Sequence, residues 1–207
     1  MCSRGVTPSS FARRSIRRSS LLLTGALLCL ASACSGETQL HGVMIDPPRA
    51  LSAYEFTLPN GARVTTAPEK GRPMVLFFGY THCPDVCPTT LADWKRAKQK
   101  LGRDGDRVRF LFVTIDPDRD TPVLSEKYAK QFDTSFVGVT GDSATTRRIL
   151  ADFGASAARE TAGATDSSYF MGHSAQAFLV DDKGRLVAMY PFGIGWDALA
   201  ADLKSVL

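Results

Sequence analysis

The sequence is poor in cysteine, in histidine and in long apolar runs. It has five cysteines and three histidines among 207 residues, which excludes a disulfide-stapled scaffold, because a chain of this length can bury a core of its own. After residue 34 the longest apolar run covers residues 74–80, far short of the roughly 18–20 apolar residues that a membrane-spanning helix needs. A hydrophobic fraction of 44% and a charged fraction of 22% are typical of a globular domain and exclude a disordered or collagen-like chain.

A basic surface is also missing from most of the chain. The formal net charge is +4, but residues 1–34 hold five arginines and no acidic side chain. The remainder carries 20 basic and 21 acidic residues. Nucleic-acid binding needs clustered lysine and arginine, so the sequence predicts no nucleic-acid partner.

The first 33 residues have the layout of a secretory signal peptide. Two arginine pairs, Arg13-Arg14 and Arg17-Arg18, precede a short apolar segment over residues 21–30, and small residues follow it. We therefore predict a signal peptide over residues 1–33 and an exported protein. The arginine pairs leave a twin-arginine export route open.

Cys34 is the predicted attachment point to the membrane. Residues 30–34 resemble a bacterial lipobox, in which the cysteine is lipidated and becomes the mature N-terminus. An ordinary cleaved signal and an uncleaved anchor are the alternatives. The sequence thus predicts a lipidated N-terminus and tether over residues 34–50. This segment would hold a globular domain, residues 51–207, on the periplasmic face of the bacterial inner membrane.

Hydrophobic periodicity after residue 50 predicts strands that alternate with helices. The polar, small-residue segment 155–172 is predicted to be a mobile loop. This order of elements is typical of an α/β domain with a central sheet and helices on its faces. The predicted strands cover residues 56–58, 64–66, 74–80, 108–115, 136–139, 176–180 and 185–190, the first two forming a hairpin, and the predicted helices cover residues 88–101, 121–132, 143–153 and 196–207.

Cys83 and Cys87 are the predicted reactive residues. They lie between a buried strand and a helix N-terminus, and sites in open α/β sheets form where strands end. The start of the helix favours a thiolate on Cys87, while Cys83 is expected to be more exposed. The three-residue spacer is wider than that of a thioredoxin-type Cys-x-x-Cys pair and leaves room for an ion. Two thiolates select Cu(I), and a static disulfide is the structural alternative.

A histidine would complete a three-ligand copper site. His173 precedes a predicted strand, and if that strand lies beside residues 74–80, His173 comes close to the cysteines. His41 lies in the predicted tether. His82 is adjacent to Cys83, and its side chain would point the opposite way in an extended segment. His173 is therefore the predicted third ligand, and its alternative role is to order the loop.

Three alternating acids, Asp116, Asp118 and Asp120, follow the predicted strand over 108–115. An EF-hand loop is excluded, because Thr121 stands where glycine is needed and Lys127 where glutamate is needed. The segment instead predicts a strand-to-helix turn with Asp120 or Thr121 as the N-cap. It lies on the same edge of the sheet as the cysteines, so Asp116 and Asp120 are candidates for supporting the metal ligands or for docking a partner.

Three blocks of sequence resemble the signature of the Sco/SenC copper proteins, and the resemblance spans residues 50–207. It implies a thioredoxin-like fold with a central mixed sheet flanked by helices. It also implies a copper site formed by Cys83, Cys87 and His173, and a role in assembly of the CuA centre of cytochrome c oxidase. Gly172 departs from the aspartate that often precedes the histidine in this family. The blocks are FFGYTHCPDVCPTTL at residues 77–91, VTIDPDRDTP at 113–122, and HS with AFLVD at 173–181.

Two functions follow from this reading. A metallochaperone would bind Cu(I), and also Cu(II), and pass it to the copper-binding subunit of cytochrome c oxidase or to another exported copper protein. A thiol–disulfide oxidoreductase would instead reduce the cysteines of that copper site, with Cys83 and Cys87 as the catalytic pair. The segment from His173 to Gln176 lacks the proline that thioredoxins have there, which favours metal binding. A copper or redox sensor is a third alternative.

Overall fold

A computed structural model describes residues 40–160 and 169–207. The predicted signal peptide, the predicted lipid anchor Cys34 and the first part of the tether lie outside these residues. No helix within the described ranges has the length and apolar character needed to cross a membrane. The strands of the described part are β1 (Val43–Ala50), β2 (Glu55–Thr57), β3 (Arg63–Thr65), β4 (Met74–Gly79), β5 (Arg109–Thr114), β6 (Val137–Val139), β7 (Ala157–Arg159), β8 (Met171–His173), β9 (Ala177–Val180) and β10 (Arg185–Tyr190). Its α-helices are α1 (Val86–Leu101), α2 (Pro122–Lys130), α3 (Ser143–Phe153) and α4 (Trp196–Val206).

β4 lies in the interior of a six-stranded mixed sheet with the order β1-β10-β9-β4-β5-β6. It runs parallel to β5 and antiparallel to β9, and all six of its residues are buried. A strand covered on both faces reads as a continuous apolar run, which is why its sequence does not alternate. The prediction of a central mixed sheet flanked by helices is confirmed, and β2 and β3 form the predicted hairpin.

Aromatic side chains fill the core around β4, β5 and α1. Phe77 meets Trp94 edge to face, with ring centroids 6.3 Å apart, and Phe110 lies 4.8 Å from Phe136. All four side chains are less than 2% exposed. Offset and edge-to-face pairs of this kind add to the stabilisation that comes from burying the rings. The Phe77–Trp94 pair packs β4 against α1, and the two cysteines lie where the chain passes from β4 into α1.

Part of the predicted tether is a strand. Residues 43–50 form β1, which pairs antiparallel with β10 at the edge of the sheet. The prediction of a tether over residues 34–50 is therefore wrong for residues 43–50. β1 is mostly exposed and contains Pro47 and Pro48, which an edge strand tolerates, so its sequence has the composition of a linker.

The predicted loop over residues 155–172 also contains regular structure. β7 and β8 pair antiparallel, with Ala157 opposite His173 and Arg159 opposite Met171. The loop prediction is wrong for these two ends, while residues 161–168 lie outside the described part. Strands of three residues are too short to show an alternating pattern in the sequence.

Asp202 of α4 connects the start of the described chain to the domain. It accepts hydrogen bonds from the backbone N–H groups of His41 (2.9 Å) and Gly42 (3.0 Å), and it lies 2.7 Å from His41 Nδ1. Its side chain is only 2% exposed. Burial opposes ionisation, but the hydrogen bonds from His41 and Gly42 outweigh it and lower the pKa of Asp202. The carboxylate is thus a stabilising anion in the folded state.

We expect Asp202→Asn to lower the free energy of unfolding at pH 6 by about 1–3 kcal/mol, the usual cost of leaving buried hydrogen-bonding groups unsatisfied. Because the folded-state pKa lies below the unfolded value of about 3.9, the stabilisation is full above that value and is lost as the pH falls through the folded pKa. Urea unfolding at pH 6 and at pH 3 tests this, and the difference from wild type should shrink at pH 3. Asp197→Asn, at an exposed acid of the same helix, is the control. An equal loss of stability in both variants would contradict the stabilising role assigned to the Asp202 carboxylate.

Candidate metal centre

The two cysteines lie at the carboxyl end of β4. The chain turns after Gly79, with the Cys83 N–H donating to the Tyr80 carbonyl at 3.2 Å. Helix α1 then begins at Val86, which places Cys87 in its first turn. Cys83 is half-buried, Cys87 is completely buried, and both are free thiols.

His173 reaches the cysteines through the pairing of the sheet. It ends β8, and after three residues the chain enters β9, whose Ala177 lies opposite Phe77 of β4. The start of β9 therefore meets the end of β4. The Sγ atoms of Cys83 and Cys87 and a ring nitrogen of His173 all lie within 4.8 Å of one another. The structure thus brings together the three residues that the sequence predicted as ligands, in an arrangement that could hold a metal ion.

The imidazole of His173 has a defined orientation. Its Nδ1 lies 3.0 Å from the carbonyl oxygen of Ser174, and since a carbonyl only accepts, Nδ1 carries the proton. This tautomer leaves the lone pair on Nε2 available for a metal. Phe77 and Tyr80 meet the ring edge to face, with centroids 5.8 and 6.1 Å away.

The two thiols differ strongly in acidity. A hydrogen bond from the Cys87 thiol is the main cause that lowers the pKa of Cys83 to about 5, with help from the backbone N–H groups of Cys87 and Asp85. The Cys87 N–H points at Cys83 Sγ at 3.4 Å. Donation to Cys83 and burial both raise the pKa of Cys87. The thiolate predicted on Cys87 is favoured on Cys83 instead, because Cys87 donates to Cys83 Sγ from its thiol and from its backbone N–H.

Asp120 is hydrogen-bonded to the loop that precedes Cys83. It is fully buried and accepts hydrogen bonds from Thr81 N–H (2.8 Å), Thr81 Oγ1 (2.6 Å) and Thr114 Oγ1 (2.6 Å). Asp116 is also buried and accepts a hydrogen bond from Tyr169, which lies shortly before His173. Buried carboxylates cannot dock a partner, so of the two predicted roles only support of the ligand segments fits. Thr121 is the N-cap of α2.

The other two histidines lie outside the cluster. His82 Nδ1 is 3.1 Å from Thr81 Oγ1 and 3.6 Å from Asp120 Oδ1, and His41 is bound to Asp202. Sequence reasoning missed Tyr80, a buried residue whose ring meets the His173 imidazole edge to face. Its position three residues before Cys83 was the only available signal.

Comparisons with known proteins agree on one family. A family model described as SCO1/SenC matches residues 43–207. The chain is 31% identical over 168 residues to an SCO2-like protein of Rickettsia felis, covering 80% of this chain and 82% of the relative. Apo Sco1 from Thermus thermophilus is 34% identical, with a TM-score of 0.74 over 83% of this chain and 99% of that one. Copper-bound ScoI of Bradyrhizobium japonicum is 36% identical, with a TM-score of 0.68 over 76% and 99%.

Proposed function

Because the chain belongs to the SCO1/SenC family, we propose that it is a copper metallochaperone that carries Cu(I) on Cys83, Cys87 and His173 to the CuA centre of cytochrome c oxidase. The observation that carries this proposal is the cluster of two sulfurs and one imidazole nitrogen within 4.8 Å. Soft thiolate ligands favour Cu(I), and a relative 36% identical to this chain has been solved with copper bound. The imidazole also makes the site suitable for Cu(II).

The same proposal includes an exported, membrane-anchored protein. The layout of residues 1–33 supports a signal peptide, and the lipobox-like segment supports a lipid on Cys34. Because His41 and Gly42 are held by Asp202 and Leu40 packs against the core, the proposed tether is shortened to residues 34–39. The domain would then stand on the periplasmic face, where the copper-binding subunit of the oxidase, or another exported copper protein, is its recipient.

The chemistry of loading follows from the two thiols. Cys83 is half-buried and already a thiolate at neutral pH, so it is the first sulfur that copper meets. Cys87 keeps its proton in the metal-free protein and must release it when its sulfur binds copper, so one proton leaves for each Cu(I) taken up. The lone pair on Nε2 of His173 would complete the set.

A second candidate function is thiol–disulfide exchange. The asymmetry of the two thiols favours it, because an exposed thiolate of low pKa attacks a disulfide and a neighbouring thiol resolves the mixed intermediate. Cys83 and Cys87 would then be the catalytic residues, and the cysteines of the oxidase copper site the substrate. A fully active exchange in a His173→Ala variant would favour this function.

A Cu(I) competition titration of the reduced protein against a chromophoric chelator tests the metallochaperone. We expect one tight copper per chain, and we expect His173→Ala to weaken binding by at least about 100-fold, beyond the 10–100-fold typical of groups that only support a ligand. His41→Ala and His82→Ala are the matched controls and should bind like wild type. Equal losses in all three variants, or binding without stoichiometry, would contradict the three-ligand site.

A further inference from the structure

Tyr169 lies four residues before His173 in an unusual environment. The guanidinium carbons of Arg119 and Arg159 lie 3.4 and 3.9 Å from the centroid of its ring. Two guanidinium groups cannot both come this close on one face, so the ring is held between them. Each contact is a cation–π interaction, which gains strength where water is excluded. The Tyr169 side chain is buried, at 9% exposure.

Hydrogen bonds connect Tyr169, Asp116 and Arg119 in a closed cycle. The Tyr169 hydroxyl donates to Asp116 Oδ1 at 2.7 Å, and the Asp116 carboxylate accepts at Oδ2 from Arg119 Nε at 2.5 Å. Arg119 Nη1 in turn donates to the Tyr169 carbonyl at 3.0 Å. We refer to Asp116, Arg119, Arg159 and Tyr169 as the tyrosine clamp. It joins the β5–α2 connection to the segment that leads into β8.

The backbone around His173 is held by a short ladder and by hydrogen bonds at the two ends of that ladder, where the Glu160 N–H donates to the Phe170 carbonyl at 2.9 Å. β8 is three residues long and pairs with β7 in a two-stranded sheet separate from the main one. The Ser174 N–H also donates to the Ser156 carbonyl at 2.9 Å. An isolated pair of short strands is marginally stable at best in water. The position of His173 beside the sulfurs therefore depends on anchors outside the β7–β8 ladder.

We propose that Tyr169 is a positioning residue for His173, and that the tyrosine clamp holds the imidazole beside Cys83 and Cys87 before copper arrives. This inference rests on the proposed function. A ligand that is already in place loses little conformational entropy when the metal binds, so the clamp raises affinity without touching the metal. Tyr169 thus acts through His173 alone, which distinguishes it from a residue that merely stabilises the domain.

A double-mutant cycle with Tyr169→Leu and His173→Ala tests the proposal. Tyr169→Leu alone should raise the Kd for Cu(I) by about 10–100-fold, the effect usual for groups that orient a metal ligand. In the His173→Ala background, Tyr169→Leu should raise it no further. X-ray absorption of the Cu(I)-loaded Tyr169→Leu protein should show reduced nitrogen scattering. Tyr169→Phe keeps the ring between the two arginines but loses the bond to Asp116, so it should fall between wild type and Tyr169→Leu.

Tyr54→Leu is the matched control. The Tyr54 hydroxyl donates to Asp152 Oδ2 at 2.8 Å. The variant therefore loses a tyrosine–carboxylate hydrogen bond of the same kind, and the tyrosine clamp is left unchanged. It should leave the Kd unchanged whatever it does to the melting temperature. If Tyr169→Leu does not fold, Tyr169→Phe carries the cycle in its place.

The outcomes separate this inference from the proposed function. If wild type and Tyr169→Leu bind copper equally tightly, the positioning role of the tyrosine clamp is overturned and the proposed metallochaperone function stands. Equal weakening with and without His173 would show a general structural role and also overturn it. If wild type binds no copper, the proposed function fails by itself. Hydrogen exchange of the residue 171–173 amides in metal-free protein then decides the matter, and exchange no faster in Tyr169→Leu than in wild type would overturn the positioning role.

Discussion

Iodoacetamide is expected to alkylate Cys83 at neutral pH while Cys87 stays intact. With a pKa of about 5, Cys83 is almost entirely thiolate at pH 7. Cys87 has a pKa raised above the usual value of about 8.5, so its thiolate fraction is below a few per cent. Cys87 is also completely buried. We therefore expect a rate ratio of about 100 or more in favour of Cys83, because only the thiolate reacts.

The pH profile identifies the cause of this asymmetry. Since the pKa is lowered, the rate at Cys83 should rise as the pH passes through about 5 and stay level above it. Cys87→Ala removes the thiol that donates to Cys83, so the midpoint should move upward. Cys87→Ser keeps a hydroxyl donor at the same place and should retain a low midpoint. Peptide mapping after a timed quench measures each site separately. A wild-type midpoint near that of a free cysteine would contradict the assignment, as would equal labelling of both residues.

Gly138→Ala is expected to lower the free energy of unfolding strongly, so that the variant unfolds at a much lower urea concentration than wild type. Gly138 lies in β6 beneath α2, where an added Cβ would lie far inside van der Waals contact with the Ser125 carbonyl oxygen and 3.1 Å from the Ala129 Cβ. The obstacle is helix backbone, so no side chain can rotate away. Relief requires α2 to move away from the sheet. Overpacking usually costs about 1–3 kcal/mol, and a clash with backbone should reach the upper end of that range or exceed it.

Gly141→Ala is the matched control for this substitution. Its Cβ would meet only side-chain atoms, the nearest being Thr145 Cγ2 at 3.2 Å, and these can shift. Neither glycine has the positive φ that would disfavour alanine. Urea unfolding followed by circular dichroism gives both free energies. A small loss at Gly138, no greater than that at Gly141, would show that α2 does not pack against β6 as closely as described.

Local sequence patterns were sufficient to predict the strand, loop and helix that carry the two cysteines. The apolar run of β4, the proline near the start of α1 and the four-residue separation of the cysteines predict a strand–loop–helix site, and the structure has one. His173 required a further step, the assumption that β9 lies beside β4. That assumption succeeded because both strands are buried and apolar.

Other features depend on contacts between distant segments, which single-sequence patterns do not record. β1 is exposed and rich in proline, so only its pairing with β10 distinguishes it from a linker. The acidity of Cys83 depends first on the hydrogen bond from the Cys87 thiol and then on the backbone N–H groups of Cys87 and Asp85. The tyrosine clamp joins Asp116 and Arg119 to Tyr169, a pairing for which the sequence offers no spacing rule.

The proposed ligand set would link copper retention to the folded state. Cys83 and Cys87 stay close together in any conformation, because only three residues separate them. His173 comes from a distant part of the chain and reaches them only when β9 is seated beside β4. A copper ion held by all three residues would therefore stabilise the native form by mass action, and an unfolding chain would retain a weaker two-sulfur site. An unfolding chain would thus hold copper less tightly than an intact one, so the placement of His173 would make tight copper binding a property of the folded chain.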